Sequence, residues 1–175
     1  INRFGYLKFS QDGNKLCSTL GGSSKNSTVE LYDFNKITGI VSNPIVVANS
    51  GDIKWAYSSE FSPDNSKLYV VAYNSGFVNQ YDISSGVTST IKASMINVAN
   101  ETSIKECVQI GPCNKIYISR RGKSWLGSID YPNNSGSACA YTANGVDLGT
   151  ATCSKGLPNF NQSFFNLTDL GQDTS

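Results

Sequence analysis

The sequence predicts an all-β fold made of repeated four-stranded units, on three observations. A pattern recurs about every 50 residues, each copy divides into short apolar strands separated by Gly, Asn, Asp and Pro turns, and no long segment has an apolar period near 3.6 residues. The copies begin "YLKFSQDGNKLCSTL" at Tyr6, "SSEFSPDNSKLYVVA" at Ser58 and "CVQIGPCNKIYISR" at Cys107. Phe9, Phe61 and Ile110 take the same place in them, as do Lys15, Lys67 and Lys115.

Within a copy, the first strand ends at the matched Phe or Ile. The turn after it has a chemical basis in the first two copies, with Asp12, Gly13 and Asn14 or Pro63, Asp64 and Asn65. Pro presets φ, and Asp, Asn and Gly accept turn and left-handed backbone. The second strand follows the lysine. In "KLYVVAY", Leu68, Val70 and Ala72 share one face and Tyr69, Val71 and Tyr73 the other. Both faces are largely apolar, as in a strand held between neighbouring sheets. The third strand runs to an Asp and a glycine-closed turn in "VELYDFNKITG", "VNQYDISSG" and "GSIDYPNNSG". The matching Asp33, Asp82 and Asp130 are expected to cap backbone amides, and Asp12 and Asp64 to shape turns. A fourth strand is expected at "IVSNPIVVA" and at "VTSTIKASM".

Four-stranded units of about 40 to 50 residues that cannot bury their own faces point to the blades of a β-propeller. The expected layout is blades at about 4–50, 51–100 and 101–150, a closing strand at 156–166, and a tail or linker at 167–175. About three blades plus a closing segment fall short of the roughly four to eight of a closed ring. The chain is therefore expected to be the C-terminal half of a larger propeller, completed by blades of the same parent chain or of another chain. The alternative is a small open β domain that leaves two sheet faces uncovered.

Composition narrows the function. The formal net charge is +1, from 14 basic and 13 acidic residues, which is no electrostatic footprint for nucleic acid or an anionic membrane. Charged residues make up 15%, and 18 Asn and 25 Ser supply the polar surface instead. No apolar run approaches the length of a membrane-spanning helix. Histidine is absent, so Ser-His-Asp and Cys-His catalysis are excluded within this chain. The four glutamates are Glu30, Glu60, Glu101 and Glu106. No phosphate loop or EF-hand spacing occurs, and no metal site or cofactor is expected. Of the five cysteines, Cys139 and Cys153 flank "AYTANGVDLGTAT", read as a hairpin that returns one to the other, and are a candidate disulfide. Cys107 and Cys113 flank a tight turn and are a second candidate pair if strand geometry allows. Cys17 reads as a small buried apolar residue.

The ordered set "GYLKFSQDGNKL", "VELYDFNKITGIVSNPI", "EFSPDNSKLYV", "QYDISSG", "KIYISR", "SIDYPNNSGSACAY" and "GLPNFNQSFF" resembles the propeller, of WD40, YVTN or TolB-like type, in large secreted surface proteins of Bacteroidetes. The resemblance runs from Phe4 to about Phe165. It implies association with PKD-type repeats and export by type IX secretion, of the type B sorting class linked to gliding adhesins. It further implies a location outside the cell or on its surface, and a non-enzymatic role in adhesion. Cys113 departs from the pattern, standing where Asp or Asn is expected, and this keeps the Cys107–Cys113 pairing open.

Candidate ligand contacts lie in the loops between second and third strands, "GGSSKNS", "YNSG" and "RRGKSW", and in those entering a blade. Arg120, Arg121, Lys123 and Trp125 form a basic cluster beside an aromatic residue, a pattern suited to a glycan, a carboxylate or a partner protein. Tyr73, at the "YNSG" loop, and Trp55, in the loop entering the second blade, are further candidates. Packing is the competing role for Trp125, which aligns with Phe77, and for Trp55. Two further readings compete with adhesion: a lactonase- or hydrolase-like propeller whose catalytic residues lie in the missing half, and a structural spacer.

Overall fold

A computed structural model describes residues 4–21 and 26–158. Strands β1 (Phe4–Phe9), β2 (Lys15–Gly21), β3 (Ser27–Phe34) and β4 (Val41–Asn49) form an antiparallel sheet in chain order. A second ladder holds β5 (Ala56–Phe61), β6 (Lys67–Ala72), β7 (Ser75–Asp82), β8 (Ile96–Ile110), β9 (Ile116–Arg120), β10 (Trp125–Ile129) and β11 (Tyr141–Asp147), again each beside its sequence neighbour. The long β8 belongs to two blades. Ile96 to Asn100 close the second blade against β7, and Val108 to Ile110 open the third against β9. The described chain is a partial β-propeller of three four-stranded blades.

The repeated turn residues act as their chemistry requires. Ser10 and Ser62 donate their hydroxyls to Asp12 and Asp64 at 2.6 and 2.7 Å, and accept the amides of Lys15 and Lys67. Each aspartate also accepts an amide two residues on, from Asn14 or Ser66. The third copy has Gly111 and Cys113 instead, and its turn is carried by left-handed Cys113 and Asn114. Of Asp33, Asp82 and Asp130, expected to cap backbone amides, Asp82 accepts one, from Ser84; Asp33 and Asp130 accept side chains instead, from Asn43 and Ser128. Each of the three meets the repeated lysine of its own blade: Lys15–Asp33 at 3.1 Å, Lys67–Asp82 at 2.9 Å and Lys115–Asp130 at 3.0 Å. The pair ties the start of a second strand to the end of the third.

Two readings of local structure are corrected. "VTSTIKASM" is not a strand, because Thr88–Ala93 form a short helix, α1, that buries Ile91. Val87, Ile91 and Met95 recur every four residues, a helical spacing that the β-branched composition masks. The fourth strand of this blade comes later, at the start of β8. "AYTANGVDLGTAT" is not a hairpin: Tyr141–Asp147 are the single strand β11, paired with β10. Seven extended residues, about 20 Å of strand, thus part Cys139 from Cys153. Likewise Cys107 sits inside β8 with its thiol 3.8 Å from Ser58, whereas Cys113 is exposed in the turn beyond Ile110. All five cysteines are free thiols, and Cys17 is fully buried as read. Of the closing strand expected at 156–166, only residues 156–158 are described, without strand structure; its remainder and the tail at 167–175 lie outside the described residues.

Blades pack face to face. Leu68, Val70 and Ala72 join Phe61, Cys17, Val29 and Leu31 in the core between the first and second blades, closed by Ile53 and Ile91. Tyr69 and Val71 point the other way, into a core with Val108, Ile110, Ile116 and Ile118. Every residue of β6 is buried. Between the inner strands, Lys8 of the first blade meets the fully buried Glu60 of the second at 3.0 Å. Glu60 also accepts the amide of Ile110 from the third blade at 2.8 Å. Burial pushes the Glu60 carboxyl up from its ordinary range, against the Lys8 charge and the amides that favour its ionised form.

Lys8→Met should lower stability in urea unfolding by about 3 kcal/mol, because it strands a buried carboxylate. Adding Glu60→Gln should recover part of that loss, since the amide is neutral and still accepts a backbone N–H.

Candidate functional site

The β4–β5 and β6–β7 loops emerge at one end of the second blade and enclose a pocket of about 480 Å³. Its walls include Trp55, Tyr73 and Phe77, with Asp52, Lys54 and Asn79 as polar members. The structure thus brings Trp55 and Tyr73 together: the Tyr73 amide donates to the Trp55 carbonyl at 2.7 Å. Phe4, the first residue of β1, stacks on Trp55 at 6.0 Å between ring centroids and packs against Tyr57 and Tyr73 at 5.5 and 5.3 Å. Tyr6 extends the cluster through Tyr57. Burial, and a hydrogen bond with Tyr57, push the Tyr6 hydroxyl up to about 12, so it stays protonated at neutral pH. Lys155 places its ammonium over the Tyr73 ring, 5.4 Å from the centroid.

The basic cluster read from "RRGKSW" does not form a common binding patch. Arg120 is buried and turned to the blade interior, donating to Glu101 at 2.6 Å, to the Ala143 carbonyl at 2.8 Å and to Ser103 and Asn144. Arg121, in the turn just past the end of β9, donates instead to the buried Glu106 at 3.0 Å and to Asn74 of the β6–β7 turn at 2.7 Å. Lys123 is exposed, and Trp125 is half-buried at the start of β10. Only Lys123 of the three cations is left to meet solvent freely. Arg121 instead braces the pocket's turn against the third blade.

Beside that turn, Lys105 is buried with its ammonium 2.6 Å from the Gly76 carbonyl and 3.3 Å from Glu101. Tyr141 also donates its hydroxyl to Glu101. Burial alone raises the Glu101 carboxyl, but the Tyr141 and Arg120 hydrogen bonds and the Lys105 charge outweigh it and hold Glu101 down at about 2. Gly76 has no tolerance for a side chain, because a Cβ there would strike the Glu101 carbonyl oxygen. No group of three Asp, Glu or Cys placed to hold a metal ion occurs among the described residues. Sequence reasoning missed Phe77 and Asn79 as pocket members and Phe4 as the ring behind Trp55. The alternation of "GFVNQYD" puts Phe77, Asn79 and Tyr81 on one face, which is the signal that was there to read.

No family model matches the chain, and no curated protein does. Among solved structures, a hydrazine synthase of Kuenenia stuttgartiensis is similar at 21% identity, over 71% of this chain and 31% of that one, with a TM-score of 0.47. A putative 6-phosphogluconolactonase of Bacteroides uniformis is similar at 16% identity, over 74% and 37%, with a TM-score of 0.49. A calcium-binding regucalcin of Agrobacterium tumefaciens is similar at 15% identity, over 77% and 43%, with a TM-score of 0.48. The chain spans less than half the length of each of these structures.

Arg120→Ala should cost about 3 kcal/mol in urea unfolding, since it removes a buried guanidinium together with its bonds to Glu101, Ala143, Ser103 and Asn144, while Lys123→Ala should stay within about 0.5 kcal/mol. Because the folded value of Glu101 lies near 2, below its ordinary 4.5, its contribution to stability is complete above about pH 4.5 and is lost as pH falls toward 2. Thermal melts across that window should show a shallower acid loss in Glu101→Gln than in the parent.

Proposed function

We propose that the chain is a non-enzymatic segment of a secreted or cell-surface β-propeller, acting in adhesion through recognition of a protein or a glycan. The observation that carries this reading is the open pocket where Trp55 and Tyr73 meet. Trp55 and Phe77 are 37% and 48% exposed there, beside a rigid cluster of rings. Exposed aromatics over a fixed scaffold are the residue types on which recognition surfaces depend. The ionic groups nearby support the same reading: Glu101, Glu106, Arg120 and Arg121 are committed to pairs between β8 and the end of β9. The resemblance to Bacteroidetes surface propellers adds type IX secretion as the export route.

The remaining blades of a ring are the proposed partners. In the second blade, the face carrying Phe61, Leu68 and Val70 is covered by the first. The matching face of the first blade carries Leu7, Phe9 and Leu20, which are 67%, 45% and 37% exposed. Phe9 packs there on Phe34 at 4.8 Å. That face has the make of a blade interface and suits a preceding blade.

Beads coated with the chain should be retained on surfaces bearing a glycoprotein or the same protein deglycosylated, and Phe77→Ala should weaken retention. Absence of retention on both, together with turnover of a lactone or ester panel by the chain, would replace adhesion with catalysis. In sedimentation velocity the chain should self-associate as concentration rises, and Leu7→Lys with Phe9→Lys should abolish that association.

A further inference from the structure

Resting on that reading, we infer that the pocket lined by Trp55, Phe77, Asn79 and Asp52 is a subsite for one neutral pyranose unit of a glycan. The backbone departs from regular geometry around it on every side. Trp55 has φ of 61°; the other non-glycine residues with positive φ are Asn, Cys or Ala. A bulky side chain in that region is strained and persists only where its surroundings impose it. Here the imposing contacts are the Tyr73 amide on the Trp55 carbonyl and the Phe4 ring on the indole. The β5–β6 ladder slips between Ala56 and Ser58, and the β7–β8 ladder slips at Ser75/Phe77 and at Val78/Asn79. Such bulges re-aim side chains. The result is a half-exposed indole and phenyl ring lining the pocket together with an amide.

The chemistry of the lining selects the ligand. A pyranose has an apolar face of C–H bonds and a rim of hydroxyls, each both donor and acceptor. The rings match the face. Asn79 supplies an amide that donates and accepts, and Asp52 supplies an acceptor. Both of the Asp52 carboxylate's bonds, from the Asn49 amide and the Lys92 ammonium, fall on Oδ2, which leaves Oδ1 for a hydroxyl. Tyr81 is buried beside them, its hydroxyl within reach of the Asn79 side chain and of the Asp52 charge. Charged ligands fit less well. Lys92 neutralises Asp52, which removes the anionic centre an aromatic cage for a cation requires. Lys54 is the one cation in the lining, since Lys92 lies outside it and is bound to Asp52, so the pocket has no pair of cations to clamp a phosphate. A volume of about 480 Å³ is that of a small-molecule pocket rather than a peptide groove.

The chain has two tryptophans, so Trp125→Phe leaves Trp55 as the one indole reporter. In that background, titration with methyl glucosides, galactosides and mannosides and with a panel of neutral oligosaccharides should shift Trp55 emission saturably for at least one compound. Phe77→Ala and Asn79→Ala, both at partly solvent-facing positions, should each weaken that binding by about tenfold with unchanged melting temperature. Lys123→Ala should leave it unchanged. Silence toward every neutral glycoside, tighter binding of choline or inorganic phosphate, or indifference to both Phe77→Ala and Asn79→Ala would overturn the subsite. Bead retention that persists on the deglycosylated protein while these titrations stay silent would overturn the subsite and leave the adhesion reading standing.

Discussion

A blade whose two faces are both apolar has to be covered on both sides, and the rest of this molecule follows from that constraint. β6 sits at the centre of the described chain, with no residue exposed, and its alternating side chains feed two separate cores. Each core joins side chains of adjacent blades, so no blade has a hydrophobic core of its own. Stacking also brings polar inner strands together in places that exclude water. There each charge must find a partner from the next blade, as Lys8 finds Glu60 and Glu60 finds the Ile110 amide. The Lys8–Glu60 pair is a consequence of the stacking and helps fix which blade sits against which.

The same economy of charge shapes the loop end of the second blade. Much of the scarce charge near the loops is spent inside the structure, Arg120 on Glu101 and Arg121 on Glu106 and Asn74. Trp55 and Phe77 are left partly open to solvent there. The strained backbone at Trp55 is held by the ring cluster behind it, so the rigidity of the inner strands and the presentation of the indole are one arrangement.

Much of the architecture was legible because the repeat is written in residues with strong local preferences. Asp12 and Asp64 were read as turn formers and are. Leu68, Val70 and Ala72 and, opposite them, Tyr69 and Val71 were assigned correctly because alternation in a strand is geometric, whereas Tyr73 lies past the end of β6 and packs on Phe4. Asp33, Asp82 and Asp130 were recognised as equivalent, but their partners were not, since a lysine some fifteen or more residues away comes close only when the second and third strands pair in register. Residues 87–95 misled because Val, Thr and Ile favour strands in general, while here the burial of Ile91 decides for one helical turn. The basic string at 120–125 looked like one patch because adjacent letters suggest adjacent charges, whereas Arg120 closes β9 with its side chain buried and Arg121 and Lys123 follow in the turn, where Arg121 is taken by Glu106 and Asn74.

By itself, the sequence determined the unit: a four-stranded, histidine-free repeat with turn chemistry at fixed positions, because those features depend on contacts a few residues apart. The tertiary structure decided everything that depends on which blade faces which. It separated the cysteines that sequence paired, by making one strand of a supposed hairpin. It turned three of the candidate ligand residues into half-buried or buried parts of the blades, and gathered Phe4, Trp55, Tyr73, Phe77 and Asn79 from four elements into one place. Those decisions belong to tertiary structure because burial and partner choice are set between strands distant in the chain, where no local preference reaches.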